Sequence, residues 1–169
     1  MTGITIREPG QLEAEQLSAV LCNDNVLRHE LGFAAHDKPT AEDFLREIAE
    51  WCRPRRATTY AILADNTAIG TISLSHRSPD GLSAQVGYWI GSGYRRLGYC
   101  TRAFATVLNQ AASEGIVFVS ATIASDNIPS RRIWEYQGAV ASEVSSGRLQ
   151  YKLKIERQPV GAGDALLPA

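Results

Sequence analysis

The sequence has no surplus of charge of either sign. Seventeen lysines and arginines stand against 18 aspartates and glutamates, a formal net charge of −1. Without a basic surface there is no electrostatic footprint for broad binding to nucleic acid. Cysteines are scarce: Cys22, Cys52 and Cys100 make no Cys-x-x-Cys pair, and none of the three histidines stands at ligand spacing from them. That argues against a zinc site and for a reducing, cytoplasmic setting. No apolar run approaches the ~18 residues that span a bilayer, and "MTGITIREPG" lacks the basic and then apolar pattern of a secretory leader. "HELGF" at His29 to Phe33 starts like a zinc-protease helix, but Phe33 stands where the second histidine is required. The expectation is a chain with no metal and no nucleic-acid or membrane partner.

What is present fits one α/β domain. At 169 residues, with 44% apolar and 21% charged residues, the chain can bury one sizeable core. "GITIRE" alternates like a strand, and Leu12, Leu17, Val20 and Leu21 then lie on a helical stripe. After a polar, histidine-containing stretch, Thr40 is placed to cap a helix whose Phe44, Leu45, Ile48 and Trp51 or Cys52 recur at helical spacing, and Pro54 ends it. "TTYAILA", "TAIGTISLSH" and "SAQVGYWIG" are β-branched and aromatic, parted by turns at Asp65-Asn66 and Ser78 to Gly81, and predict three antiparallel strands.

Phe104, Val107, Leu108 and Ala111 mark an amphipathic helix closed by Gly115. "IVFVSATIA" lacks clean alternation, as expected of a central strand buried on both faces and running parallel to a neighbour. Asp126 or Asn127, Pro129 and Gly138 bracket a short helix, and two strands follow near 139–144 and 148–155. The predicted fold is a mixed, mostly antiparallel sheet of about seven strands flanked by about four helices. The domain is expected over residues 1–155, and the Pro-, Gly- and Ala-rich 156–169 is expected to be a disordered tail.

Between the third antiparallel strand and the amphipathic helix lies "GSGYRRLGYCTRA". A dinucleotide fingerprint fails because Arg96 stands where the third glycine is needed, and a triphosphate loop fails because Tyr99 and Cys100 replace the lysine and the hydroxyl. The glycines alone would serve a plain strand-to-helix turn. What survives is Arg/Gln-x-x-Gly-x-Gly/Ala, written here as Arg95-Arg96-Leu97-Gly98-Tyr99-Cys100. Backbone N–H groups and the positive end of a helix would converge there, which suits a diphosphate.

The stretch resembles the Gcn5-related N-acetyltransferase (GNAT) superfamily. "VGYWIGSGYRRLGYCTRAF" and "SDNIPSRRIWEYQGA", with Asn127 and Ser130 in an Asn-x-x-Ser pair, resemble the branch holding the ribosomal-protein N-terminal acetyltransferases. The resemblance covers roughly residues 3–155. It implies an acyl-CoA N-acyltransferase fold and transfer of an acetyl group from acetyl-CoA, without a metal, to the α-amine of a peptide or to a small-molecule amine, by direct attack in a ternary complex. It further implies a cofactor site of Trp89, Ile90, Arg95, Arg96, Leu97, Gly98, Tyr99, Cys100, Thr101, Asn127 and Ser130. The strand at Trp89 and Ile90 would turn a backbone N–H toward the thioester oxygen, and Ser130 would protonate the departing thiolate. A homodimer is left open.

Two positions depart from the pattern. Many relatives carry glutamate where Gln85 stands, and many use a tyrosine where Trp134 stands. His76, acting through water, and by residue type Asp126, Glu135 and Glu30 are the remaining candidates for the base. Cys100 is read as a small packing residue; a helix start lowers a thiol's pKa, so a reactive thiol is the other reading. The departures also leave room for a second function, a catalytically impaired domain of this fold that binds an acyl-CoA.

Overall fold

Side chains at the helix starts set most of the local structure. Thr40 Oγ1 accepts the Asp43 N–H at 3.1 Å while Asp43 Oδ2 accepts the Thr40 N–H at 3.0 Å, a reciprocal cap that starts α3 (Ala41–Cys52). Glu13 accepts the N–H of Gly10 at 2.9 Å and pairs with Arg7, fixing α1 (Gln11–Asn23) against the end of β1 (Ile4–Arg7). Asp24 caps a further short helix, α2 (Asn25–Glu30), by accepting the Leu27 N–H at 3.0 Å. In the sequence this segment shows only as a polar connection. Beyond a 3₁₀ turn at Arg53–Arg55 come β2 (Thr58–Ala64), β3 (Thr67–Ser75) and β4 (Ser83–Ile90). Helix α4 (Tyr99–Ser113), β5 (Phe118–Ala124), α5 (Ile128–Tyr136), β6 (Val140–Ser145) and β7 (Arg148–Lys154) complete the chain. This computed structural model describes residues 3–34 and 36–156; the tail expected beyond the domain lies, but for Glu156, outside the described residues.

The strands form one sheet in the order β1-β2-β3-β4-β5-β7-β6. All neighbouring pairs are antiparallel except β4 and β5. One face carries Ile72, Leu74, Val86 and Ile90 against Phe104 and Val107 of α4 and Trp134 of α5. The other carries Ala61 and Leu63 against Leu17 and Leu21 of α1, Leu27 of α2 and Phe44 of α3. Because helices cover both faces, β2 and β3 are buried almost throughout.

Strand β5 is parallel to β4, as expected, but only Val119 and Ile123 of it are buried, and Thr122 is exposed. The expectation of burial on both faces is corrected here. No helix among the described residues is long and apolar enough to cross a membrane.

Candidate active site

The parallel pairing of β4 with β5 lasts only from Ser83↔Phe118 to Gln85↔Ser120. Beyond Gln85, β4 stays with β3 as far as Gly70↔Ile90, while β5 follows β7 as far as Ala124↔Arg148. The two strands therefore part over residues 86–90 of β4. Which backbone groups face the gap follows from one bond: Gly91 N–H donates to Ile69 C=O at 2.9 Å. In an antiparallel ladder alternate residues point the same way. Gln85, Gly87 and Trp89 thus bond to β3, and the N–H groups of Val86, Tyr88 and Ile90 face the gap. Trp89 keeps its backbone on β3 and turns its side chain toward the α1/α3 face; of the two strand residues expected at the thioester, only Ile90 offers an N–H there.

Gly70 holds that geometry. A Cβ on it would lie 2.3 Å from Trp89 C=O oxygen and 2.8 Å from Ile90 Cα, so no side chain fits between β3 and the end of β4.

At the mouth of the gap the chain turns into α4. Arg96 (φ +63°) and Gly98 (φ +74°) are left-handed, and Gly98 stands at the N-cap with no side chain to satisfy the first turn. The N–H groups of Tyr99, Cys100 and Thr101 therefore open the helix without an intrahelical acceptor, at the positive end of its dipole. A Cβ on Gly98 would meet nothing within 4 Å, so glycine is required there by backbone conformation and leaves clear space before the helix. The residues expected to hold a diphosphate thus form one turn.

Arg95 does so as a strut. Its guanidinium makes a bidentate pair with Glu30 at 2.9 and 2.5 Å and reaches Ile90 C=O at 3.4 Å, tying α2 to the loop and lowering the Glu30 pKa. Leu97 is exposed. Cys100 is half-buried at the helix start, and desolvation there pushes its thiol up to about 12, which the nearby Arg95 charge offsets only in part.

Across the gap, Asn127 Oδ1 accepts the Ser130 N–H at 3.2 Å and caps α5. Ser130 Oγ lies 2.7 Å from the hydroxyl of Tyr88, a residue that the sequence reading treated only as part of a strand pattern. The Tyr88 ring packs edge-on against Phe104, with centroids 6.1 Å apart at 84°. Burial raises the Tyr88 phenol pKa, and the hydrogen bond with Ser130 works against this only in part. Trp134 is fully buried, 4.8 Å from Phe104, and its Nε1 has no hydrogen-bond partner among the described residues.

On the opposite face of β4 a cavity of about 360 Å³ opens between the sheet and α3. Its floor is Thr59, Thr71, Ser73 and Gly87, and its walls include Leu31, Phe33, Phe44, Ile48, Trp51 and Trp89. Glu47 is the only charged side chain lining it among the described residues. None of the base candidates named from sequence lines this cavity. His76 Nδ1 is 3.0 Å from Ser75 Oγ, Glu135 accepts the Tyr151 hydroxyl at 2.6 Å, and Glu30 holds Arg95. Asp126 and Gln85 are exposed. Glu47 was legible: it sits between Phe44 and Ile48 on the helical stripe that continues to Trp51.

Residues 4–140 match the family model described as acetyltransferase (GNAT) domain. Among solved structures, Mycobacterium smegmatis RimJ with a CoA disulfide is 20% identical with a TM-score of 0.76, the alignment covering 92% of this chain and 84% of that one. The ribosomal alpha-N-protein acetyltransferase RimL with coenzyme A is 18% identical with a TM-score of 0.72, covering 92% and 96%. The microcin self-immunity acetyltransferase MccE, with acetyl-CoA and AMP, is 20% identical with a TM-score of 0.71, covering 90% and 92%. No curated protein sequence matches the chain.

Proposed function

The chain belongs to the GNAT acetyltransferases, and from that premise we propose that it acetylates a primary amine by direct attack in a ternary complex. The co-substrate is acetyl-CoA, which supplies an activated acetyl group. Its fit rests on the parted strands and on the uncapped start of α4, two sets of backbone donors belonging to one continuous segment, Val86 to Thr101.

The transfer joins the neutral amine nitrogen to the acetyl carbon and breaks the carbon–sulfur bond; the nitrogen gives up one proton to solvent and the thiolate takes one up, so the protein must accommodate negative charge on the acetyl oxygen and return a proton to sulfur. The N–H of Ile90, held by Gly70 and facing the gap, suits the first task. Ser130 suits the second: its hydroxyl is positioned by Asn127 through the helix start and by Tyr88 across the gap. Tyr88 accepts or donates within that pair as Ser130 changes its proton. The turn from Arg95 to Thr101 holds the diphosphate, and Arg95 acts by keeping the turn on α2.

The observation that carries this reading is the 2.7 Å contact between Ser130 and Tyr88 beside the open N–H groups of β4. It also weighs against a binding-only domain. Trp134 offers no hydroxyl at its own position on α5, and Tyr88 brings one to Ser130 from β4.

With no strong base named, the amine's own ionisation sets the rate. At pH 7 an α-amine of pKa about 8 is roughly one-tenth neutral and a lysine near 10.4 about one part in 2,500. Thiol release from acetyl-CoA with matched peptides tests this. Acetylation of free N-termini over lysines, with a rate that rises toward the pKa of the amine, is expected. Coenzyme A binding with no turnover on any amine would refute transfer.

A further inference from the structure

The cavity between α3 and the sheet has a composition that selects its occupant. Resting on the transfer reading above, we infer that the acceptor is a primary amine carrying an apolar, ring-sized group beside the nitrogen and no carboxylate.

Size comes first. At about 360 Å³ the cavity lies at the small end of the ~300–1,000 Å³ range of ligand sites, with room for one ring-bearing group and its amine. The walls set the polarity. Phe33, Phe44, Ile48, Trp51 and Trp89 present aromatic and branched surface, which removes apolar area from water at roughly 25 cal/mol per Å² and returns nothing to a hydroxylated side group.

The floor hydroxyls are partly committed: Thr59 Oγ1 lies 3.3 Å from Cys52 Sγ, and Ser73 Oγ donates to Gly87 C=O at 3.4 Å.

Gly87 connects this cavity to the reaction. Its φ is not positive, and a Cβ there would meet only Ser73 Oγ, at an ordinary 3.5 Å. Neither backbone conformation nor packing requires glycine at this position. A side chain would instead fill the cavity where it meets β4, three residues before Ile90. Glycine keeps open the route by which an amine in the cavity approaches the parted strands.

Charge completes the selection. Glu47, itself exposed, is the only charged residue lining the cavity among the described residues; at that edge it attracts an ammonium ion and repels a carboxylate. Arg55 lies over the Trp51 ring at 5.0 Å and donates to Trp51 C=O, and it does not line the cavity. A zwitterionic amino acid would bury its carboxylate with no cation to meet it, whereas an amide, a peptide or a plain amine would not.

Two sources offer this chemistry, a free arylalkylamine and a peptide whose first residue is apolar. Trp51 and Trp89 line the cavity, so tryptophan fluorescence of the full chain with coenzyme A reports binding independently of turnover. Phenethylamine should quench or shift the emission, and ethanolamine at the same concentration should not. In thiol release, kcat/KM should favour phenethylamine over ethanolamine, a Phe-first over a Ser-first tetrapeptide, and phenylalaninamide over free phenylalanine, each by about tenfold or more. The better of phenethylamine and the Phe-first peptide identifies the source.

Ile48→Asn should narrow the first two ratios, and Glu47→Gln should narrow the third. Equal or reversed preference for ethanolamine and the Ser-first peptide would overturn the inference while leaving acetyl transfer standing. Phenethylamine binding without acetylation of any amine would refute transfer and leave the selectivity of the cavity intact.

Discussion

Removing the hydroxyl of Tyr88 tests the site most directly, because it separates a proton-donor pair from a merely packed one. In Tyr88→Phe the ring keeps its edge-on contact with Phe104 at 6.1 Å, and Ser130 keeps the Asn127 cap at 3.2 Å. What is lost is the 2.7 Å bond to Ser130 Oγ together with the longer one, at 3.4 Å, that the phenol donates to Ser130 C=O. A neutral hydrogen bond is worth about 0.5–1.5 kcal/mol net, and each ~1.4 kcal/mol is tenfold in rate. Positioning alone therefore lowers kcat about 2- to 13-fold. Ser130→Ala removes the proton donor itself and should cost on the order of 10²-fold.

If the two hydroxyls act as one unit, the double variant should be no slower than Ser130→Ala. Independent action would multiply the two losses, to between about 2 × 10² and about 10³-fold. Thiol release gives kcat, and calorimetric titration with coenzyme A gives affinity, which should stay within about twofold in all three variants, as expected of hydroxyls that act only in the transition state. Burial holds the Tyr88 phenol protonated, so Tyr88→Phe should leave the alkaline limb of the pH profile in place. Multiplicative losses, or weakened coenzyme A binding at unchanged kcat, would refute the pairing.

Three further perturbations address the frame. Gly70→Ala would put a Cβ 2.3 Å from Trp89 C=O oxygen; overpacking of this kind costs about 1–3 kcal/mol, or roughly 3–10 °C in Tm at this chain length. It should also displace the Ile90 N–H, so kcat falls by about tenfold or more in the folded variant; wild-type turnover would show that this N–H is not used. Asp24→Ala removes the acceptor for Leu27 N–H at 3.0 Å, Ser92 N–H at 2.5 Å and Ser92 Oγ at 2.8 Å, and a thermal melt should fall by about 4–8 °C; a change below about 1 °C would mean the latch carries no stability. Cys100, pushed up to about 12 by burial, should resist alkylation at pH 7.5. Its folded-state pKa lies above the ordinary thiol value, so the native state holds the proton longer than the unfolded chain and stability is lost as pH rises from about 8.5 toward 12; labelling at the rate of a free thiol would contradict that burial.

Features with a local cause were legible in the sequence. Thr40 and Asn127 cap their helices because a side-chain oxygen beside free N–H groups needs nothing distant, and the bounds of β2, β3 and β4 follow turn residues that act within a few positions. Helix α2 escaped because its six residues show less than two turns of periodicity, although Asp24 is an ordinary cap. The parting of β4 and β5 has no linear signature at all. It depends on where a parallel register ends, and Gly70, which secures it, is unremarkable until a neighbouring strand lies 2.3 Å from its missing Cβ. Glu47 is hidden for another reason: the family pattern points to the strand position of Gln85, whereas the charged residue that lines the cavity comes from α3.

One departure from the family pattern, Trp134, is connected to Tyr88 through the core. Trp134 is fully buried with its indole 4.8 Å from Phe104, and the same Phe104 receives the edge of Tyr88. A tryptophan on α5 therefore occupies volume inside the sheet-to-helix packing rather than reaching the gap, and the ring beside it on β4 carries the hydroxyl that meets Ser130. A tyrosine substituted at Trp134 would be smaller than the space it enters and would leave a void against Phe104. It would not simply restore a second donor at the gap. The proton-donating pair proposed for this chain is thus built from one strand and one helix, and the shared aromatic contact makes its geometry depend on the core beneath it.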